Sequence, residues 1–151
     1  MIIIFCVGFL VGARFEKLVF NRMVDGDTFW VTNLRDGREW KVRLWGVDAP
    51  DTKECYFGEA TKILENELTS KKIAYERFGY DDYGRILAKV YVNGINLEEI
   101  LVATGAAIAY GAKDVHDDLR PSAEYVASLK IIEETARNEK VGMWSSGCDS
   151  I

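Results

Sequence analysis

The chain has 151 residues, 48% of them hydrophobic and 12% aromatic, which is the size of one ordinary domain with a real core. This composition excludes a disordered chain and a multidomain protein. The formal net charge of −5 argues against a protein that grips nucleic acid through bulk positive charge. The acidity belongs to the last third of the chain, however, and residues 16–95 are nearly neutral.

The chain begins with an apolar segment, residues 1–13, followed by Arg14. This segment is shorter than the roughly 20 residues that span a bilayer, but it has the length of a signal-peptide core and ends in small residues. It lacks a basic segment before the apolar run. We expect residues 1–14 to be a signal peptide or the remnant of a membrane anchor and residues 15–151 to be one domain, secreted or attached to the membrane outside the cytoplasm. The alternative is an additional buried strand or helix.

Turn and periodicity signals then predict alternating elements. Runs of β-branched and aromatic residues from Glu16 to Leu44, interrupted by Asp-Gly pairs at 25–26 and 36–37, predict a meander of three strands. Apolar residues at helical spacing predict a first helix over residues 59–68. Two more strands follow, over residues 72–78 and 86–92.

The last third is predicted to be helical. Asn96 and Glu99 form a capping-box pattern that begins a second helix, which runs through Ala103 and is stopped by Gly105. Apolar spacing after Pro121 predicts a third helix that ends near residue 138. Five strands and three helices predict an α+β fold in which the strands close into a small barrel, as in an OB-fold.

The positions of the cysteines indicate whether the protein works in an oxidising or a reducing compartment. Cys55 and Cys148 lie in polar, turn-like segments, so they could form a disulfide in an oxidising compartment; the alternative is two exposed free thiols. Cys6 lies in the apolar N-terminal segment. Because the chain has no CxxC spacing and a single histidine, His116, its sequence argues against a zinc site.

Residues able to carry chemistry stand at the ends of the predicted strands. They are Asp25, Asp27, Arg43, Asp48, Asp51, Tyr83 and Arg85. Arg43 alternates with core residues on its strand, so we expect its guanidinium to line a cleft or to pair with an acid. Such a set suits phosphodiester hydrolysis, since a hard cation such as Ca²⁺ takes oxygen ligands, arginines neutralise charge on the phosphate, and a further carboxylate activates water.

The motifs around these residues resemble the thermonuclease family, the staphylococcal nuclease-like domains, over about residues 16–144. In order they are VDGDT, VRLWGVDAPD, YFGEA, DDYGRILAKVYVNG, INLEEILVATGAA and EKVGMW. The resemblance implies an OB-fold barrel with three helices. It also implies a calcium-dependent nuclease that cuts DNA and RNA with little sequence preference and leaves 3′-phosphate ends.

The resemblance assigns metal-binding and phosphate-binding roles to five positions. Asp27 and Asp48 match the two carboxylates that bind Ca²⁺, and Ala49 occupies the place that offers a backbone carbonyl. Arg43 and Arg85 match the two arginines that clamp the phosphate. All five positions carry residues able to do what the family requires.

The match to the family is less complete for the nucleotide contacts and for the general base. Tyr83 matches a tyrosine that contacts the nucleotide's phosphate, and Tyr110 matches one that packs against the base. The family's water-activating residue is a glutamate directly after the proline, where this chain has Asp51; Glu54 is a possible substitute. Ala112 stands where the best-known members have another tyrosine, so we expect weaker nucleotide binding and a slower enzyme.

Two functions therefore remain. The first is the calcium-dependent nuclease, a monomer that acts on DNA and RNA and needs no stable protein partner. The second is a nuclease-fold module that binds nucleic acid or protein after losing catalysis, an alternative motivated by Asp51, by Ala112 and by the acids Asp114, Asp117 and Asp118 in the segment before the third helix. Retention of both metal carboxylates and both arginines favours the enzyme.

Overall fold

The computed structural model describes residues 18–112, 115–145 and 147–148. The segment expected to be a signal or an anchor, residues 1–14, lies outside the described residues, and so does Asp114. None of the helices among the described residues combines the length and the apolar character needed to cross a bilayer.

The strands of the described residues agree with the predicted order, and three two-residue strands are added to it. In chain order they are β1 (Leu18–Met23), β2 (Thr28–Asn33), β3 (Glu39–Leu44), β4 (Val47–Asp48), β5 (Ile73–Tyr80), β6 (Ile86–Val92), β7 (Ile95–Asn96) and β8 (Ile108–Ala109). The short strands were not predicted, because two residues carry no measurable alternation of apolar and polar side chains.

The main strands pair in a ring. Antiparallel pairing runs in the order β3-β2-β1-β5-β6, and β3 also pairs with β6 in the parallel sense, Val42 opposite Ile86. A separate small sheet joins β4 to β8. This arrangement confirms the predicted α+β fold with OB-type strand order.

Alternation on the strands separates the core from the outer face. Phe29 and Val31 of β2 and Val42 and Leu44 of β3 are almost completely buried, whereas Trp30 between the first two is half-buried on the other face. The inward side chains of β6 join them in one continuous apolar cluster. The outer face of β2 and β3 therefore stays available for polar and aromatic side chains.

Three α-helices among the described residues cover this core: α1 (Phe57–Leu68), α2 (Leu97–Ala103) and α3 (Ala123–Asn138). The N-cap half of the predicted capping box is confirmed, since the side chain of Asn96 accepts a hydrogen bond of 2.9 Å from the backbone N–H of Glu99. Gly105 follows α2 with a φ of +65°. Helix α1 begins two residues before its predicted start.

A glycine brings the turn before β2 against α1. A Cβ atom on Gly26 would lie 2.7 Å from the Cβ of Ala49 and 3.2 Å from that of Ala60, so only glycine allows this approach. The turn that carries Asp25 and Asp27 is thereby packed beside the segment after β4. The two acidic motifs of the sequence meet because of this contact.

Candidate active site

The two acidic motifs and the predicted arginines line one surface cleft of about 290 Å³. Its lining residues are Asp25, Asp27, Arg43, Asp48, Ala49, Pro50, Asp51, Glu54, Arg85 and Tyr110. The structure therefore brings together every residue predicted to act in metal binding or catalysis, and Tyr110 with them. Tyr83 is the predicted site residue that lies outside this cleft.

Asp27 is the most deeply buried carboxylate of the cleft, with 8% of its side chain exposed. Its Oδ2 accepts a hydrogen bond of 2.8 Å from the backbone N–H of Ala49 and lies 3.1 Å from Nη1 of Arg43. The hydroxyl of Thr28 donates to its Oδ1 at 2.9 Å. Burial raises the pKa of Asp27 to about 7, against the lowering effect of the Arg43 cation, and Asp25 nearby raises it further.

Arg43 joins the two predicted metal carboxylates. Its Nη2 donates to Oδ1 of Asp48 at 2.7 Å, while its Nη1 donates to the carbonyl of Val47 at 2.8 Å and contacts Asp27. Only 12% of the Arg43 side chain is exposed. The expectation that Arg43 either lines a cleft or pairs with an acid is met in both respects, because a planar guanidinium serves several acceptors at once.

The second arginine, Arg85, is oriented by Asp81, a residue that the sequence analysis did not single out. One carboxylate oxygen of Asp81 accepts from the Arg85 backbone N–H at 2.9 Å and from that of Tyr83 at 3.0 Å. The other accepts from Nε of Arg85 at 2.6 Å. The signal was present in the DDYGR motif, because an Asp that precedes a tight turn commonly accepts from the backbone two residues later.

Tyr83 does not line the cleft, and 83% of the residue is exposed. It lines a neighbouring hollow with Asp82 and His116, and its ring centre lies 5.2 Å from the Arg85 guanidinium carbon. A nucleotide that contacts Tyr83 would therefore have to extend past Arg85 toward this hollow.

Asp51 and Glu54 form one exposed turn at the edge of the cleft. The carboxylate of Glu54 accepts from the Asp51 backbone N–H at 2.5 Å, and the Glu54 N–H donates to the Asp51 carbonyl at 2.7 Å. Cys55 follows directly and is joined by a disulfide to Cys148, with 5.3 Å between the two Cα atoms. Both carboxylates that were considered for water activation thus stay within the same cleft.

Tyr110 also lines the cleft. The pairing of β4 with β8 brings the Tyr110 backbone N–H within 2.8 Å of the Gly46 carbonyl, beside the strand that carries Asp48. The acids of the following segment lie elsewhere: Asp117 and Asp118 line a separate hollow with Asp82 and His116. Asp117 and Asp118 therefore do not line the cleft, where they would repel a nucleic-acid backbone.

The donor atoms of the cleft decide whether it can hold a divalent metal. Its carboxylates and the Ala49 carbonyl form an oxygen-only donor set, which is the chemistry that Ca²⁺ prefers. Among residues 18–112, 115–145 and 147–148, no three or more His, Cys, Asp and Glu side chains are arranged as a metal site. Asp27 and Asp48 are instead both held by Arg43. The residues fit a hard cation by their chemistry, with Arg43 as the group that competes for the same carboxylates.

Known proteins that are similar to this chain are nucleases by their names. Residues 41–146 match the family model described as staphylococcal nuclease homologue. An "Uncharacterized endonuclease" of Escherichia coli is 32% identical over 82% of this chain and 74% of its own length. "Endonuclease YncB" of Bacillus subtilis is 33% identical over 87% of the chain and 63% of its own length, and "Thermonuclease" of Staphylococcus hyicus is 30% identical over 83% and 73%. These homologues support a hydrolytic nuclease.

Proposed function

Because the chain belongs to the staphylococcal nuclease homologue family, we propose that it is a calcium-dependent nuclease that hydrolyses DNA and RNA with little sequence preference and leaves 3′-phosphate ends. The observation that carries the proposal is the meeting of Arg43 and Arg85 with several carboxylates in one cleft. A phosphodiester needs this combination, since its charge must be neutralised while water attacks.

The two arginines bind the phosphate in this proposal. A guanidinium pairs with two phosphate oxygens at once and stabilises the charge that grows on them in the transition state. Asp81 fixes Nε of Arg85 and leaves the terminal nitrogens of that guanidinium for the substrate. Tyr110 packs against a base in the cleft, and Tyr83 contacts the phosphate from beside Arg85.

The acids divide into a metal-binding set and a proton-accepting set. Asp27, Asp48 and the carbonyl of Ala49 would hold Ca²⁺, which, when bound, neutralises phosphate charge and polarises the scissile bond. Asp51 accepts the proton of the attacking water, and Glu54, held against the Asp51 backbone, is the alternative acceptor. The shorter side chain of Asp51 makes this step slower than with glutamate at the same position.

We also propose that the protein is a monomer, secreted or held on the outer side of a membrane by residues 1–13, and that it needs no protein partner. The disulfide between Cys55 and Cys148 supports an oxidising compartment, where such bonds persist. Mass spectrometry of the protein isolated from its native source tests the proposed secretion. A mature N-terminus within or near residues 11–15 is expected after cleavage, and an intact Met1 on a protein in the cytoplasm would contradict secretion.

The direct test of metal dependence is cleavage of single-stranded DNA and of RNA, with Ca²⁺ and with a chelator. We expect cleavage in Ca²⁺, loss of cleavage with chelator, and recovery when Ca²⁺ is restored. The products should be substrates for a phosphatase specific for 3′-phosphates. Cleavage at the same rate in chelator would contradict calcium dependence, and binding of oligonucleotide without cleavage would favour the second candidate, the nuclease-fold binding module suggested by Asp51 and Ala112.

A further inference from the structure

An aromatic residue on the outer face of the barrel lies between two cations. The Arg22 guanidinium carbon is 4.5 Å from the ring centre of Trp30, and Nζ of Lys41 is 5.2 Å from it. The register produces this cluster, because Trp30 pairs with Arg22 on β1 and with Lys41 on β3. At these distances the cations interact with the electron-rich faces of the indole.

The cluster continues into the cleft. Lys41 and Arg43 are two residues apart on β3, so their side chains share one face of the sheet. Because Val42 lies opposite Ile86 in the parallel pair of β3 with β6, one step back along both strands places Lys41 opposite Arg85, the residue before β6. With strands about 4.8 Å apart, a basic row of Arg22, Lys41 and Arg85 runs across β1, β2 and β3 to the start of β6 and ends at the proposed phosphate-binding arginine.

A ligand phosphate can replace the acidic partner of the cations in this row. Arg22 forms an ion pair of 3.2 Å with Glu39, but 49% and 44% of the two side chains are exposed, and such pairs are weak. Lys41 has no ion pair with any described residue. A phosphate carries a full charge and several acceptor oxygens, so it competes well with Glu39 for Arg22.

We propose that Arg22 and Lys41, positioned by Trp30, form a binding subsite for the sugar-phosphate backbone of single-stranded DNA or RNA outside the catalytic cleft. The subsite rests on the proposed nuclease function, since it holds the part of the strand that continues past the scissile phosphate. Trp30 is a positioning residue: its ring already engages both cations, so less side-chain freedom is lost when a phosphate binds.

Binding measured without cleavage tests the subsite. Fluorescence anisotropy in chelator gives the Kd of a labelled 12-nucleotide single strand and of a trinucleotide over a range of salt concentrations. For the 12-mer, R22A/K41A should lower the slope of log Kd against log salt by about 1.4, which is two phosphate contacts at about 0.7 each. The trinucleotide is short enough to occupy the cleft alone, so its Kd should not change.

The chain offers a matched control on α3. Arg137 lies 3.7 Å from the ring centre of Trp144, forms an ion pair with Glu133 and is 48% exposed, and Lys130 is exposed on the same helix. K130A/R137A therefore removes the same two charges and a cation–aromatic contact away from the row. We expect wild-type binding of both oligonucleotides by this variant.

Two more variants separate charge from positioning. Replacing the competing acid, Glu39→Gln, should tighten binding of the 12-mer, and Trp30→Phe should retain more of the binding than Trp30→Ala because it keeps an aromatic face. Thermal unfolding of each variant confirms that it is folded.

Equal salt slopes for R22A/K41A, K130A/R137A and the wild type would overturn the subsite, as would a wild-type protein that binds the 12-mer no better than the trinucleotide. A wild-type protein that binds with the expected slopes but never cleaves would contradict the proposed function and leave the subsite standing.

Discussion

Asp51 is the residue at which this chain departs most from the nucleases it resembles. The aspartate side chain is one carbon–carbon bond shorter than that of glutamate. Asp51 lies in a turn that is closed by a hydrogen bond from its backbone N–H to the Glu54 carboxylate. A misplacement of about 1 Å in a reacting group can cost on the order of 100-fold in rate. The chemistry of the cleft therefore depends on which of these two carboxylates reaches the attacking water.

Replacing Asp51 with glutamate distinguishes the two possibilities. If the short side chain limits proton transfer, D51E should raise kcat by about 10-fold to 100-fold and leave the Ca²⁺ concentration for half-maximal activity nearly unchanged. Steady-state kinetics on single-stranded DNA measures both quantities, with E54Q as the companion variant. A fall in kcat for D51E together with a large loss in E54Q would show that Glu54 is the proton acceptor.

The sequence identified the residues of the cleft more completely than their contacts. The motifs placed Asp27, Arg43 and Asp48 at strand ends, and the structure brings all three together. That one guanidinium holds both carboxylates follows from the packing of two loops against each other, and no local pattern carries that information. Asp81 was missed although the DDYGR motif carries the signal for its turn, because its contact with Nε of Arg85 depends on a side-chain orientation that is known only in the folded chain.

At the scale of elements, a buried acid joins α2 to the barrel. Glu98 in the first turn of α2 is completely buried, and its carboxylate accepts from the Val90 backbone N–H of β6 at 3.0 Å. Burial raises the pKa of Glu98 from 4.5 to about 8, although three backbone hydrogen bonds and the Lys89 cation oppose the rise. The folded protein thus holds a proton that the unfolded chain releases above about pH 4.5.

This acid predicts a pH dependence of stability. Its contribution is fully present below pH 4.5 and is lost as pH rises through about 8, because only the unfolded chain ionises freely in that window. Glu98→Gln keeps the shape and an acceptor oxygen without the titration, so it should raise Tm at pH 9 relative to the wild type. Near pH 5 the difference should be small.

Thermal unfolding of the wild type and E98Q across this range measures the effect. Because Asp27 also titrates abnormally, the difference between the two proteins is the informative quantity. A difference in Tm that does not change with pH would contradict a raised pKa for Glu98.

Elements with local signals were predicted well, and elements made by distant pairing were not. The capping box at Asn96 and the apolar spacing of α1 and α3 are local patterns, so their positions are correct within a few residues. The parallel pairing of β3 with β6 and the contact of β4 with β8 join segments far apart in the chain, whose partners only the folded core selects. These are the pairings that bring Arg43 to Arg85 and Asp48 to Tyr110.

At the scale of the whole molecule, the disulfide connects the last described residues to the edge of the cleft. It joins positions 93 residues apart, and Cys55 directly follows Glu54. A disulfide typically stabilises a protein by about 2–4 kcal/mol. The same bond holds the turn of Asp51 and Glu54, so stability and catalysis should both depend on it.

Replacing both cysteines tests this link. C55S/C148S should lower the free energy of unfolding by about 2–4 kcal/mol and reduce kcat with little change in KM for a short oligonucleotide. Urea unfolding and steady-state kinetics measure the two effects. A reducing agent should reproduce both in the wild type and have no effect on the double variant; a reduced wild type with unchanged stability and activity would contradict the prediction.

The net charge of −5 is compatible with a nucleic-acid enzyme because the charge is unevenly placed. Asp117 and Asp118 line a hollow apart from the cleft, whereas the arginines converge on the cleft and on the row that leads to it. Affinity for a polyanion is thereby local, and it should depend on salt and on bound calcium more than on the average charge of the surface.

The most direct measurement is the rate of single-stranded DNA cleavage in Ca²⁺ by the wild type, R85A and R137A. Arg85 lines the cleft, whereas Arg137 is an arginine of α3 with a comparable acidic partner, so the two variants remove the same charge from different places. We predict a loss of at least about 100-fold in kcat for R85A, as expected for removing a group that stabilises transition-state charge, and a wild-type rate for R137A. Wild-type cleavage by R85A, or an equal loss in both variants, would contradict a nuclease site in this cleft.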